Sequence, residues 1–161
     1  MAAPPPKTGG AHLVRKSELA IARQSKPPFV DILIVEDEGR DADRLRGTLN
    51  TIFNYKSEIR QAKTLGSALD CVIARKPDII FLDDRLKPND DATQTIPFLR
   101  RCGYEGPIVV VSSVLTRPRK AMMITAGAVA CLHKDDLDGS SVEETLATVY
   151  KNLRPPKAPP A

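Results

Sequence analysis

Short runs of consecutive apolar residues alternate along this chain with longer segments whose apolar positions recur at helical spacing. The clearest runs are Ile32 to Val35, Ile79 to Leu82 and Ile108 to Val111. A run without polar alternation, bounded by turn residues, fits a strand buried on both faces, as in a parallel sheet. Such runs are too short and too punctuated for a buried helix. The pattern predicts strands at about 30–35, 57–62, 78–83, 108–113 and 128–132. Helices are expected between them. Leu45, Leu49, Ile52 and Phe53 mark one over 39–52. Thr64 is placed to cap another over 65–75, with Leu65, Leu69, Val72 and Ile73 facing inward. After a long polar loop, Thr95 is expected to cap a short helix with Pro97 in its first turn, anchored by Phe98 and Leu99. Thr116 caps the next, with Pro118 in its first turn, and Ser140 or Ser141 opens the last, about 141–153. Five βα repeats imply an α/β fold, a doubly wound five-stranded parallel sheet.

The 161 residues suffice for one domain with a proper core and two tails. Residues 1–28 read as a basic, Pro-rich extension with a weak helical stripe over 12–24, residues 29–154 as the domain, and 155–161 as a disordered tail. The net charge of +4 is local. Lys7, Arg15, Lys16, Arg23 and Lys26 face only Glu18 within the first 29 residues, so the rest of the chain is neutral. A neutral domain argues against nucleic acid as the partner. No apolar run reaches membrane-spanning length, and the N-terminus lacks the apolar stretch of a signal peptide. Cys71, Cys102 and Cys131 are odd in number and scattered, as expected of reduced thiols in a cytoplasmic protein.

Two of the strands end in acids. The first runs into Glu36 and Asp37, the third into Asp83 and Asp84. In an open α/β sheet, ligands sit beyond the carboxyl ends of the strands. Two central parallel strands would gather Glu36, Asp37 and Asp83 at one edge, where their mutual repulsion is relieved by a divalent cation. Mg2+ prefers oxygen ligands, keeps several waters and takes one or two carboxylates plus a phosphate, which suits this set.

Four segments in order, Ile-Leu-Ile-Val-Glu-Asp, Pro-Asp-Ile-Ile-Phe-Leu-Asp, Pro-Ile-Val-Val-Val-Ser-Ser and Gly-Ala-Val-Ala-Cys-Leu-His-Lys, resemble the receiver domain of bacterial two-component response regulators. The resemblance covers about residues 29–154. It implies strand order 2-1-3-4-5, with the site at the switch point between the first and third strands. It further implies that Asp83 accepts a phosphoryl group as an aspartyl phosphate. Asp37 and Glu36 would hold Mg2+ with Asp83 and a loop carbonyl near Arg85. Lys134 would supply fixed positive charge, and Ser112 a hydroxyl for a phosphoryl oxygen. The expected partners are a sensor histidine kinase or phosphotransferase and a downstream protein. Receivers commonly meet partners through the fourth helix, fifth strand and fifth helix. Here that region contains Arg117, Arg119, Lys120, Met122 and Met123.

The chain departs from the family pattern in four places. Pro88 lies five residues after Asp83 and four after Asp84, so the acceptor is one of two adjacent acids, with Asp83 favoured by the strand length. The usual loop glycine is missing from Pro-Asn-Asp-Asp-Ala, Cys131 stands where an aromatic is usual, and Asp135 rather than proline follows Lys134. Any switch would then run through Ser112 and the loop from Ser113 to Arg117. Three functions compete. The first is a stand-alone receiver that signals by contact or drains phosphate, a phosphoacceptor rather than an enzyme. The second is a degenerate, unphosphorylated binding module. The third is a haloacid-dehalogenase-type phosphohydrolase, which wants an Asp two after the nucleophile, where this chain has Arg85 or Leu86.

Overall fold

A computed structural model describes residues 29–87 and 90–153. The expectations for the extension, its helix over 12–24, the tail from 155 and the position of Pro88 lie outside those residues. Five parallel strands form one sheet: β1 (Asp31–Val35), β2 (Glu58–Ala62), β3 (Ile79–Asp83), β6 (Ile108–Ser112) and β7 (Ala130–His133), in the order β2-β1-β3-β6-β7. Counting these strands alone, this is the order 2-1-3-4-5. The three central strands are buried at every position. Helices cover both faces, so neither parity of a strand can be polar.

Alternation along each strand sorts side chains between two cores. Ile32, Ile34, Ile79, Phe81, Val109 and Val111 pack on one face against Leu45 and Leu49 of α1 (Gly39–Ile52) and Val142, Leu146 and Val149 of α5 (Gly139–Leu153). Leu33, Val35, Ile80, Leu82, Ile108 and Val110 pack on the other. They meet α2 (Leu65–Ala74) through Ala68 and Val72, α3 (Ala92–Arg101) through Ile96 and Leu99, and α4 (Arg117–Ala126) through Met123. This parity aims each strand-end residue at one face or the other.

Most local signals act as expected. Thr64 caps α2 in a reciprocal pair with Ser67, and the Thr116 hydroxyl accepts the Arg119 N–H at the start of α4. Five expectations need correction. Phe98 does not anchor α3; it is 45% exposed, and Ala92, Ile96 and Leu99 make the buried face. Ile73 does not face inward; it is 69% exposed, because Ala68 and Val72 point the helix a quarter-turn away. Asp91, not Thr95, caps α3, accepting the Thr93 N–H, so Pro97 lies inside the helix beyond its first turn and removes a ladder bond. Asp138, not a serine, receives the Ser141 N–H at the start of α5. The polar loop after β3 contains a small antiparallel pair, β4 (Arg85–Leu86) and β5 (Asp90–Asp91), folded over the end of the sheet with Leu86 buried. Among the described residues, no helix is long and apolar enough to cross a membrane.

Candidate functional site

The carboxyl ends of β1, β3 and β7 bring together Glu36, Asp37, Asp83 and Lys134. Glu36 follows β1, is nearly buried, and its Oε1 accepts the Glu38 N–H at 3.1 Å. Asp83 closes β3, and its Oδ1 accepts the Arg85 N–H at 3.3 Å. Lys134 leaves β7 in a short 3-10 turn, where the His133 ring nitrogen accepts the Asp135 N–H. Its Nζ lies 3.3 Å from Glu36 Oε1, 3.3 Å from Asp83 Oδ1 and 3.2 Å from Asp41 Oδ2. One carboxylate oxygen each from Glu36, Asp37 and Asp83 all fall within 4.8 Å of one another. A cleft of about 550 Å³ opens above them, walled also by Glu38, Asp41, Arg85, Lys87 and Asp91.

The electrostatics show the cost of this gathering. Burial, then the Asp83 charge, pushes Glu36 up to about 8, against the pull of Lys134. Burial also raises Asp83, though Lys134, Glu36 and the Arg85 N–H hold it back. The two carboxyl groups thus raise the cost of each other's charge at this strand edge. Burial works against the Lys134 charge, but Asp83, Glu36 and Asp41 outweigh it and keep the ammonium protonated. Three hard oxygens converging beside an open cleft, where burial raises Glu36 and Asp83 alike, fit a small divalent cation such as Mg2+. Glu36, Asp37 and Asp83 are the residues that would hold it.

Two of the expected site residues stand differently. Arg85 lines the cleft, and the contact it makes with Asp83 is through its backbone N–H. Ser112 is not brought to Asp83. It lies on the opposite parity of β6, with Val110, and its Oγ is 3.0 Å from Asp84 Oδ2 and 2.9 Å from the Val114 carbonyl. Asp84 is itself buried at 2% exposure. Its carboxylate receives Arg119 from α4 through two nitrogens, at 2.5 and 3.3 Å, and the Ala92 N–H at 3.3 Å. The two neighbouring acids thus have separate tasks. Asp83 faces the cleft and Lys134, whereas Asp84 is neutralised by Arg119 and ties β3 to the starts of α3 and α4.

The partner face also differs in detail from expectation. Met123 is core, Arg119 is turned onto Asp84, and Met122 and Ile124 are the exposed apolar residues of α4. Cys131 Sγ sits 3.7 Å from Met123 Sδ, and burial raises its thiol pKa. Asp41 was missed in the sequence. Asp37 precedes the Glu38 cap while Asp41 stands in the first helical turn, so no helical spacing links them and only the fold brings both to the cleft.

Comparison with known proteins agrees with this architecture. The chain matches the family described as the response regulator receiver domain over residues 32–143. Among solved structures it is similar to a two-component response regulator from Clostridium difficile, with 19% identity and a TM-score of 0.67 over 77% of this chain and 98% of that one. It is similar also to the receiver domain of NtrX from Brucella abortus, with 26% identity and a TM-score of 0.61 over 76% of this chain and 96% of that one. A CheY-like receiver domain from Methylobacillus flagellatus aligns at 23% identity and a TM-score of 0.61, over 73% and 96% of the two chains. No curated protein sequence matches. The five-stranded parallel sheet and the matched span together establish that this chain belongs to the response regulator receiver domain family.

Proposed function

We propose that this receiver accepts a phosphoryl group on Asp83 in a Mg2+-dependent relay. The donor is a phosphohistidine of a sensor kinase or phosphotransferase, and the output is protein contact or drainage of phosphate from the relay. The observation that carries the reading is the placement of the Asp83 carboxylate in an open cleft, between two further carboxylates and the Lys134 ammonium. An Asp83 oxygen forms the new bond to phosphorus as the phosphorus–nitrogen bond of the donor breaks. The electron pair leaves on the imidazole. A bound Mg2+ would neutralise charge on the phosphoryl oxygens and relieve the repulsion among the acids. Lys134 offers an N–H to an equatorial oxygen, and the Arg85 N–H orients Asp83. Nothing in this scheme requires catalysis on an outside substrate, so the protein is a phosphoacceptor rather than an enzyme, operating in the cytoplasm.

The test is intact mass after incubation with acetyl phosphate and Mg2+. The expected result is a phosphate-sized gain that disappears at alkaline pH, as an acyl phosphate should, and is absent in Asp83→Ala. A gain that persists in Asp83→Ala and vanishes in Asp84→Ala would move the acceptor by one residue. One observation favours a second reading, an unphosphorylated binding module. The Ser112 hydroxyl is engaged by Asp84 and Val114 rather than turned to the cleft. No mass gain under any donor would select that reading. Turnover of a generic phosphomonoester would select the phosphohydrolase instead.

A further inference from the structure

Lys134 is held by three carboxylates, and they are not equivalent. An ammonium has three N–H donors. Here they face Glu36 Oε1 at 3.3 Å, Asp83 Oδ1 at 3.3 Å and Asp41 Oδ2 at 3.2 Å. Glu36 and Asp83 belong to the trio that converges on one point, and Asp83 is also the acceptor. Asp41 belongs to neither role. It stands in the first turn of α1, one residue before Ala42, which is buried with Leu45 and Leu49 against the sheet. Its backbone is therefore fixed by the core, and its side chain lines the cleft.

We propose that Asp41 is a positioning residue that anchors the Lys134 ammonium to α1 while the other two contacts are given up to a cation and a phosphoryl group. The role rests on the reading of Asp83 as acceptor. Lys134 reaches the cleft on a flexible four-carbon stem from the 3-10 turn. Glu36 loses its hold on the ammonium when it turns to a metal. Asp83 loses it when its oxygen bonds to phosphorus. With both gone, Asp41 alone keeps the charge within reach of the phosphoryl oxygens. A small displacement of a positioned group is costly, because alignment in the transition state depends on it.

An acid in the first turn of a helix also interacts favourably with the helix dipole, and the test separates that role. In the full-length protein with saturating Mg2+, which draws Glu36 and Asp83 away from the ammonium, the Lys134 side chain is followed by 1H–15N NMR, with the resonance assigned by its loss in Lys134→Arg. Slow exchange with water is expected in wild type. Rapid exchange is expected in Asp41→Asn, with an otherwise native amide spectrum. Phosphoryl uptake from acetyl phosphate with Mg2+ should slow on the order of tenfold in Asp41→Asn. The Mg2+ midpoint should hardly move, since Asp41 is outside the ligand set. Asp41→Glu, which retains the charge, should recover most of both readouts. A purely dipolar role predicts an unchanged Lys134 resonance and unchanged uptake in Asp41→Asn, and that result overturns the proposal. Equal impairment in Asp41→Asn and Asp41→Glu overturns it as well. If wild type takes up no phosphate, the acceptor reading fails by itself, and the ammonium exchange still decides whether Asp41 anchors Lys134.

Discussion

Asp83 and Asp84 are adjacent, yet strand alternation sends their carboxylates to opposite faces of the sheet. Asp83 meets Lys134 and the acids of the cleft, and Asp84 meets Arg119 and Ser112. Substitutions there should behave differently. Asp83→Asn removes a charge that raises Glu36, so the Glu36 pKa should fall from about 8. Carbon-13 NMR titration of the carboxyl groups reads this directly; an unchanged Glu36 would mean that burial alone sets its value. Ser112 is a second case. Its oxygen accepts the Val114 N–H at 3.1 Å and lies 3.0 Å from Asp84 Oδ2, and Ser112 and Asp84 are both buried. Ser112→Ala should cost about 1–2 kcal/mol by denaturant unfolding, the typical penalty for leaving buried partners unmet. It should leave Mg2+ binding unchanged, because Ser112 is not part of the cleft.

Among the elements, α4 depends most on a single polar tie. Met123 is its buried side chain, and its N-terminal turn carries Arg117, Arg119 and Lys120, charges that disfavour a helix start. Asp84 answers Arg119 from the sheet. Breaking a buried pair strands the remaining charge, so Arg119→Ala should destabilise the fold by about 3 kcal/mol. Amide exchange should show α4 and the loop from Ser113 to Thr116 opening before the central strands. Equal protection across the fold in that variant would show that packing, not the ion pair, holds the helix. By contrast α1 is tied by packing. Leu49 is fully buried, and Leu49→Ala should cost about 2–5 kcal/mol without local fraying.

At the scale of the whole molecule, the cleft makes stability depend on pH and Mg2+ together. Glu36 is raised from its ordinary value of 4.5 to about 8, and Asp83 is raised in the same direction. A carboxyl group whose folded pKa is raised contributes stability below its unfolded pKa, and loses that contribution as pH rises through the folded value. The Mg2+-free protein should therefore melt at falling temperature as pH goes from about 5 to 8.5. Lys134 does not offset this, since its charge is present in both states across that window. A cation that displaces the Glu36 proton binds better at the upper end. Mg2+ should raise the melting temperature more at pH 8.5 than at pH 6, following the usual linkage. Scanning calorimetry in buffers of matched ionic strength measures both slopes. An equal Mg2+ shift at the two pH values would separate metal binding from Glu36.

The five strands, the two-sided burial and the two acidic strand ends were legible in the sequence, because unbroken apolar runs and terminal acids are local properties. So were the caps at Thr64 and Thr116, where a hydroxyl reaches only a few residues along the chain. The placement of Asp83 beside Glu36 followed once two parallel strands were assumed adjacent. What lay between distant segments was not legible. Arg119 and Asp84 are 35 positions apart, and Lys134 and Asp41 are 93, so neither pairing leaves a pattern in any short window. The turning of Ser112 toward Asp84 depended on the register of β6 against β3, which sets Val111 opposite Asp83 and puts Ser112 on the other parity. Propensity and periodicity decide which residues make a strand and which side of it is apolar. Packing between strands and helices decides which buried charge finds a partner, because an ion pair in a low-dielectric interior is fixed by distance in space and not along the chain.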